Sequence, residues 1–280
     1  MKLSLDLNFD KAIEKYHRII HILHEHQDPN EFTIIRRNEI RTRVFADLAN
    51  IYLLKKDHKK AEELLTQAIR EAVSSGIQPS HAMVVEMSLK LALIYAEANE
   101  NAKAASGFEF CIQTQQEKLK SSDLDPEEKH NELALLGMSQ NYYSKHLYEV
   151  GDYQDALKLT LSALESCQSV YSSEHVNCLN IVLDKAQIQS KLDTKKSRET
   201  LQELLSSLKK KDNSFVNKEV YVTGLLQLTL LEAFTSNYQQ AEVHLEEARS
   251  TINRSKELKN LAGLCEHTEK LLRKWAAEAN

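Results

Sequence analysis

The sequence predicts an all-α protein that folds as a stack of antiparallel helix pairs. Glycine and proline are scarce: six glycines and three prolines are present among 280 residues, about 3% of the chain against roughly 12% in average usage. Sheets and irregular loops need these residues in their turns, so their scarcity favours long helices joined by short links. The charged fraction of 28%, with both signs nearly balanced, fits exposed helix faces. A recurring pattern of small and large residues is the third observation.

The clearest copy of this pattern lies in residues 91–111, which are predicted to form two helices joined by a tight turn. Ala92 in the first helix and Ala104 in the second are small, so the two helix axes can approach closely where they cross. Tyr95 and Phe108 fill the space beside the crossing. The same offsets recur in three further copies, whose aligned residues are Phe45, Leu48, Ala49, Tyr52, Ala61, Leu65 and Ala68; Tyr143, Ser144, Leu147, Ala156, Thr160 and Ala163; and Leu228, Thr229, Glu232, Ala241, Leu245 and Ala248.

These offsets are typical of the tetratricopeptide repeat, in which two antiparallel helices form one unit and each unit stacks on the next. The repeat period is roughly 42–52 residues, longer than the common ~34, because the helices and loops are longer. We therefore predict a single tetratricopeptide-repeat domain over residues 1–280, a right-handed superhelix (α-solenoid) of antiparallel helix pairs with a C-terminal capping helix. Its predicted parts are a partial repeat at 1–26, helix pairs at 29–76, 80–120, 126–171, 174–211 and 214–254, and the capping helix at 256–278.

The fourth unit departs from the pattern. Ala186 occupies the small position of its first helix, but the usual spacing places Arg198 where the second helix should have alanine. The sequence therefore predicts a degenerate repeat, whose register rests mainly on its distance from the third and fifth units.

Three segments carry the signals of helix N-termini. Residues 28–31 and 125–128 each offer an aspartate as N-cap, a proline at the first helical position and a glutamate three residues after the cap. Residues 78–80, Gln-Pro-Ser, are expected to open another helix in the same way.

Both ends of the chain are predicted to be helical. Residues 8–12, with Tyr16 and Ile19, have the pattern of a second helix, and only seven residues precede them. We expect that the chain enters in mid-repeat and that the natural protein has at least one more helix upstream; a simple N-terminal cap is the alternative. At the other end an apolar stripe at helical spacing predicts a capping helix, which terminal repeats need for solubility. The stripe consists of Leu258, Leu261, Ala262, Cys265, Leu272 and Trp275.

Composition argues against several classes of protein. The net charge of −5 and the pI near 6.1 disfavour non-specific nucleic-acid binding. Cys111, Cys167, Cys178 and Cys265 show no CxxC spacing. We therefore expect them to be buried small apolar residues, without a disulfide framework or zinc site, in a reducing or disulfide-poor compartment.

No apolar run approaches the ~20 residues of a membrane span. Residues 1–20 lack the features of a signal peptide or mitochondrial presequence, which predicts a cytosolic protein or one whose targeting segment has been removed.

The sequence contains no catalytic motif: there is no glycine-rich phosphate loop, no HExxH and no GxSxG. We therefore predict a non-enzymatic interaction scaffold that needs no cofactor. His17, His21 and His24 fall on one face of a predicted helix, a spacing that could present imidazoles to zinc. An outer helix face tolerates histidine without any function, however, and a structural site needs a further ligand and supporting contacts. No metal site is predicted.

Basic residues cluster around Arg36, Lys55 and Lys209. We expect these clusters to be solvated helix faces or helix C-termini, where the helix dipole favours positive charge. An anionic membrane surface is the alternative partner, so peripheral membrane contact stays open.

The binding surface of such arrays is the concave face lined by the first helices. Neutral amides and fixed charges on that face suit an extended peptide or an acidic segment of a protein partner. Ala46 stands where the carboxylate clamp of chaperone-binding repeat proteins has a lysine, so capture of a C-terminal carboxylate is disfavoured. The register predicts six partner-binding residues on this face: Arg43, Asn50, Lys90, Asn141, Lys145 and Gln187.

Two segments match more than the general repeat pattern. Residues 86–95, Glu-Met-Ser-Leu-Lys-Leu-Ala-Leu-Ile-Tyr, and residues 107–112, Gly-Phe-Glu-Phe-Cys-Ile, resemble the tetratricopeptide repeat protein 19 family. Residues 2–4 and 46–50 are also similar, and the resemblance extends weakly across nearly the whole chain.

This resemblance implies a non-enzymatic protein of the mitochondrial inner membrane that supports the assembly and maintenance of respiratory complex III. Its implied partners are the complex itself or fragments of the processed Rieske subunit, and a mitochondrial targeting segment is then expected upstream of Met1. The alternative is a cytosolic peptide-binding adaptor that resembles kinesin light chain, whose repeats have a similar length.

Overall fold

A computed structural model describes residues 2–25, 31–121, 123–209 and 215–279. Over these residues the chain forms twelve α-helices and one short 3-10 helix, without any strand, which confirms the predicted all-α repeat fold. The helices are α1 (Lys2–Glu25), α2 (Glu31–Leu54), α3 (His58–Ser74), α4 (Ala82–Glu97), α5 (Asn101–Leu119), α6 (Pro126–Val150), α7 (Tyr153–Val170), α8 (Val176–Leu192), α9 (Thr194–Lys209), α10 (Phe215–Phe234), α11 (Tyr238–Arg254) and α12 (Ala262–Glu278), with the 3-10 helix at Lys256–Leu261.

The chain divides into two compact units, Met1–Ser139 and Gln140–Asn280, and the boundary falls inside α6. In the first unit α2 packs with α3 and α4 with α5; in the second, α7 packs with α8, α8 with α9, and α10 with α11. The assignment of residues 1–280 to one repeat domain stays a prediction.

The predicted small positions lie where paired helices cross. Ser144 on α6 donates its hydroxyl hydrogen to the Ala156 carbonyl on α7 at 2.9 Å, so the backbone of α7 lies within reach of a serine side chain on α6. At Gly107 on α5 an added Cβ would lie 2.8 Å from the Cβ of Ala92 on α4. The eight predicted crossing residues are all fully buried, with 0% exposure, which confirms the pattern: Ala49, Ala61, Ala92, Ala104, Ser144, Ala156, Thr229 and Ala241.

The same turn joins the two helices of four pairs. One residue adopts a left-handed backbone, with φ between 60° and 91°, and the next residue donates its N–H to a carbonyl five positions earlier, at 2.8–2.9 Å. This pattern closes the C-terminal end of a helix by a Schellman motif. The residue that donates this N–H is also the N-cap of the second helix, so each second helix begins at the same point of the repeat. The left-handed residues are Lys56, Asn99, Gly151 and Ser236.

The prediction that Arg198 occupies the small position of the fourth unit was wrong, because that position belongs to Ser197. Ser197 is 1% exposed and donates its hydroxyl hydrogen to the Ala186 carbonyl at 2.7 Å. Only Asp193 separates α8 from α9, so the left-handed residue of the other turns is missing. The crossing residues are therefore eleven positions apart here and twelve apart at Ser144 and Ala156.

Arg198 instead links neighbouring pairs. It follows the small residue of a second helix, as Glu62 follows Ala61 in the first unit. The hydroxyl of Tyr95 donates to Glu62 Oε1 at 3.0 Å. In the second unit Glu232 takes the position of Tyr95, and Arg198 donates from Nε and Nη2 to its two carboxylate oxygens at 2.7 and 3.1 Å. Arg198 and Glu232 both depart from the residues of the first unit, and their ion pair takes the place of the hydrogen bond between Tyr95 and Glu62.

The helix starts agree with the sequence at one of the two described sites. Asp125 Oδ1 accepts from the Glu128 N–H at 2.8 Å and Glu128 Oε2 accepts from the Asp125 N–H at 3.1 Å, which confirms the capping box before α6. Pro79 was expected at the first position of a helix, but α4 begins later, at Ala82. His81 is its N-cap, because Nδ1 of its ring accepts from the Met83 N–H at 3.3 Å. Residues 28–30 of the third predicted start lie outside the described part of the chain.

The ends of the chain are helical, with two differences from the prediction. At the N-terminus α1 runs without a break from Lys2, so the residues expected to precede the helix belong to it. The segment 256–278 contains a 3-10 helix followed by α12, instead of one helix. The tighter winding still places Leu258 in the core with 0% exposure, and Cys265 and Leu272 are buried in the same cluster. Within the described residues, no helix combines the length and the apolar character needed to cross a bilayer.

Candidate functional site

A groove of about 170 Å³ lies between α6 and α8 in the second unit. Each helix contributes three residues at positions i, i+3 and i+4, which is the spacing that places side chains on one helix face. The lining residues are Lys145, Tyr148 and Glu149 from α6, and Asp184, Gln187 and Ile188 from α8.

An ion pair bridges the two walls of this groove. Lys145 Nζ lies 3.1 Å from Asp184 Oδ2, and the side chains of Lys145 and Asp184 are 48% and 18% exposed. The lysine charge is thus held at the rim of the groove by a half-buried carboxylate. Tyr148 and Ile188 add apolar surface, and the Gln187 amide adds a donor and an acceptor. The groove can therefore contact both a peptide backbone and an acidic side chain.

Two of the six predicted binding residues, Lys145 and Gln187, meet in this groove. Asn141 lies one helical turn before Lys145 on α6, and its Oδ1 is buried without a hydrogen-bond partner among the described residues. An amide oxygen that is withdrawn from water and unpaired is an unfavourable arrangement, but Asn141 is not one of the residues that line the groove.

The other three predicted residues lie in the first unit. Arg43 is exposed on α2, and Asn50 is half-buried seven residues further along the same helix. Lys90 on α4 forms an ion pair with Glu86 on its own helix, with 2.8 Å between Nζ and Oε1. A partner that uses the Lys90 charge must therefore compete with a neighbouring carboxylate.

Sequence reasoning missed four residues of the groove: Tyr148, Glu149, Asp184 and Ile188. The i+3 and i+4 neighbours of Lys145 could have been found once Lys145 was assigned to the binding face. Asp184, three residues before Gln187 on the same face of α8, could have been found likewise, but its pairing with Lys145 could not, because that depends on how α8 is rotated against α6.

The histidine stripe and the central residues of the basic clusters, Arg36, Lys55 and Lys209, are exposed, while residues 210 and 211 of the last cluster lie outside the described part of the chain. His17, His21 and His24 are exposed on α1, and His21 Nε2 lies 3.2 Å from Glu25 Oε1. Across the described ranges, no group of three or more His, Cys, Asp and Glu side chains is arranged to hold a metal ion. Several basic side chains pair with carboxylates, as Lys55 does with Asp10 at 2.8 Å.

Comparison with solved structures places the fold among tetratricopeptide-like repeat proteins. The chain matches BtubC (BKLC) from P. vanneervenii with a TM-score of 0.67 at 15% identity, covering 90% of this chain and 92% of that one. It matches a Podosopora anserina protein described as a kinesin light chain with nearly identical TPR-like repeats, with a TM-score of 0.62 at 18% identity, covering 76% and 96%. A Rap protein complexed with competence and sporulation factor gives 0.55 at 14%, covering 98% and 74%. At these identities the likeness concerns the fold alone.

Curated relatives share more sequence. No family model matches the chain. Tetratricopeptide repeat protein 19, mitochondrial, from Rattus norvegicus is 30% identical over 144 residues, which are 50% of this chain and 40% of that protein. The Danio rerio protein of the same name is 28% identical over 185 residues, covering 64% and 44%. The Drosophila melanogaster homolog is 23% identical over 223 residues, covering 79% and 55%.

The chain thus matches about half the length of these relatives, or less. Their similarity and the repeat fold support a protein-binding repeat scaffold as the class of this protein. The comparisons confirm that the chain resembles the tetratricopeptide repeat protein 19 proteins over half or more of its length.

Proposed function

We propose that the chain is a non-catalytic scaffold that binds an extended segment of a protein partner in the groove between α6 and α8. The observation that carries this proposal is the meeting of Lys145 and Gln187, from two different helices, in the groove of the second unit. Amides can pair with the backbone of an extended peptide, and the lysine charge favours an acidic side chain. Asp184 on the opposite wall disfavours a partner that is acidic throughout its length.

We further propose that the partner is respiratory complex III, or fragments of its Rieske subunit, and that the protein acts at the mitochondrial inner membrane in assembly or maintenance of the complex. The support is the family resemblance of residues 86–95 and 107–112, together with the word mitochondrial in the names of the curated relatives. A peripheral contact between basic surface residues and an anionic membrane remains part of this proposal.

The test is co-migration. A tagged full-length protein with its natural N-terminus is expected to localise to mitochondria and to migrate with complex III on native gels. The same preparation should yield Rieske fragments in eluates of the tagged protein. A protein found in mitochondria but absent from the complex III band, with no Rieske fragment bound, would contradict the proposed partner and leave the groove to another peptide.

The groove can be tested separately by charge reversal. Lys145→Glu is expected to weaken retention of complex III by the tagged protein at least about fivefold, because it removes the rim charge and opposes Asp184 with a second carboxylate. Lys158→Glu is the matched control, since Lys158 is an exposed lysine of α7 that pairs with Asp155 outside the groove. Circular dichroism should show both variants folded. Equal retention of both would place binding on another surface.

The alternative is a cytosolic peptide-binding adaptor that resembles kinesin light chain. Such an adaptor would use the same groove, but the protein would act in the cytosol instead of at the mitochondrial inner membrane. The likeness to kinesin-light-chain-type repeats is at 18% identity and concerns the fold. Localisation of the full-length protein separates the two functions, since a cytosolic distribution favours the adaptor.

A further inference from the structure

Two cysteines meet at the junction of α7 and α8. Cys167 lies in the last turn of α7 and Cys178 in the first turn of α8. The link between the helices is well defined, because the rings of Tyr171 and His175 stack with their centroids 4.2 Å apart. The ends of the link are also closed: the Tyr171 N–H donates to the Cys167 carbonyl at 2.8 Å, and His175 Nδ1 accepts from the Asn177 N–H at 3.3 Å. The two thiols are therefore held in a fixed relation.

The sulfur atoms are in direct contact. Cys167 Sγ and Cys178 Sγ are 2.7 Å apart, although the residues are eleven positions apart in the chain. A disulfide bond needs about 2.05 Å between the sulfurs, so a small movement brings them to bonding distance. Both side chains are buried, at 6% and 0% exposure, in a cluster with Ala163 and Ile181. Cys111 differs, because its thiol donates to the Val85 carbonyl at 3.5 Å.

We propose that Cys167 and Cys178 form a reversible dithiol–disulfide site that joins α7 to α8 when a disulfide oxidant, such as oxidised glutathione or the disulfide of an oxidoreductase, is present. The Cys167 thiolate, which is the more exposed of the two, attacks the oxidant and releases one thiol, leaving a mixed disulfide. The Cys178 thiolate then attacks Cys167 Sγ and releases the second thiol. The protein dithiol loses two electrons and two protons, and the oxidant disulfide is reduced to two thiols.

The burial of the two thiols limits the conditions under which they are oxidised. Burial, followed by the interaction with Cys178, raises the pKa of Cys167 to about 12. Because the thiolate is the attacking species, the pair stays reduced at neutral pH unless the oxidant persists or the link at 171–175 opens. Once the mixed disulfide has formed, the contact between the sulfurs favours closure over a second intermolecular reaction. The bond would tie α8, which carries Asp184 and Gln187, to α7, and it would form whether or not the groove binds a peptide.

The experiment uses the full chain with Cys111→Ala and Cys265→Ala, which leaves only the proposed pair. The folded protein is incubated with oxidised glutathione at neutral pH and measured by intact mass under non-reducing conditions. We expect a mass loss of two hydrogens, a cross-linked peptide that contains Cys167 and Cys178, and a rise in the melting temperature on the order of 5–10 °C that dithiothreitol reverses.

Matched variants carry the control. Cys167→Ala and Cys178→Ala should each stop at a glutathione adduct or remain unmodified, with no rise in melting temperature. If the variant with Cys111→Ala and Cys265→Ala fails to fold, peptide mapping of the oxidised wild-type chain gives the same readout. Persistent adducts on both cysteines, or a Cys167–Cys178 bond that forms only in urea and not in the folded protein, would overturn the proposal.

Discussion

Arg198→Ala is expected to lower the free energy of unfolding of the second unit by about 3 kcal/mol. The arginine forms two hydrogen bonds to Glu232, whose side chain is only 3% exposed, and its removal leaves that carboxylate buried without its cationic partner. Asn237 Nδ2 still donates to Glu232 Oε2 at 3.0 Å, so one hydrogen bond remains. Urea unfolding of wild type and variant at neutral pH measures the difference.

The double variant Arg198→Ala/Glu232→Leu is the control for this prediction. It removes both charges together and leaves an apolar residue in the buried position, so most of the lost stability should return. If the double variant were as unstable as Arg198→Ala alone, the loss would come from the packing of the arginine side chain and not from the unpaired carboxylate.

The pH dependence gives a second check. Burial alone would raise the pKa of Glu232, but hydrogen bonds from Arg198 and Asn237 outweigh it and hold that pKa below its ordinary value of 4.5. In wild type the pair therefore contributes stability at neutral pH that is lost as the pH falls through the lowered pKa. Without Arg198, burial raises the pKa, and protonation relieves the buried charge as the pH falls. The difference between wild type and Arg198→Ala should thus be largest at neutral pH and shrink on acidification.

Ala92→Leu is expected to destabilise the first unit by about 1–3 kcal/mol. Ala92 is fully buried on α4, and Gly107 on α5 lies so close that even one added carbon at Gly107 would meet the Ala92 Cβ at 2.8 Å. A leucine in this crossing must push the two helices apart or adopt an unfavourable rotamer. Ala104→Leu should have an effect of the same sign, because Ala104 is also fully buried at its crossing position on α5. Urea unfolding and the thermal midpoint both report the change.

Ala102→Leu serves as the matched control, because Ala102 lies on α5 but is exposed. The same substitution there should change the free energy of unfolding by no more than about 0.5 kcal/mol. Gly107→Ala tests the contact from the other side and should also be destabilising, although alanine is normally the better helix former. A stabilised Gly107→Ala protein would show that the helices can separate without loss of packing.

Much of the fold could be predicted, because the residues that pack between paired helices recur at regular distances along the chain. The crossing residues Ala92, Ala104, Ser144 and Ala156 were identified from their offsets alone, and all are fully buried. The same method misplaced the fourth unit by one residue, since it assumed a constant distance between the helices of a pair. Counting from the N-cap would have found Ser197, which follows Asp193 by four positions, as Ala156 follows Asp152.

The candidate site was predictable only in part. Lys145 and Gln187 were assigned to the binding face by register, and both line the groove. The register does not tell which charge faces Lys145 across the groove, because that depends on the rotation and separation of two helices. The pairing of Asp184 with Lys145 is therefore a result of the structure. The pairing of Lys90 with Glu86, four residues apart on one helix, could have been predicted from spacing alone.

The helical class, the crossing residues of every unit but the fourth, and the resemblance to the tetratricopeptide repeat protein 19 proteins could all be predicted from the amino-acid sequence. Each of these follows from residue types at short, regular distances along the chain, where the geometry of a helix sets which side chains share a face. The packing of the helices, in contrast, sets which distant side chains meet: Arg198 with Glu232, Lys145 with Asp184, and Cys167 with Cys178. These contacts join different helices, so their distances depend on packing that no spacing within one helix can specify.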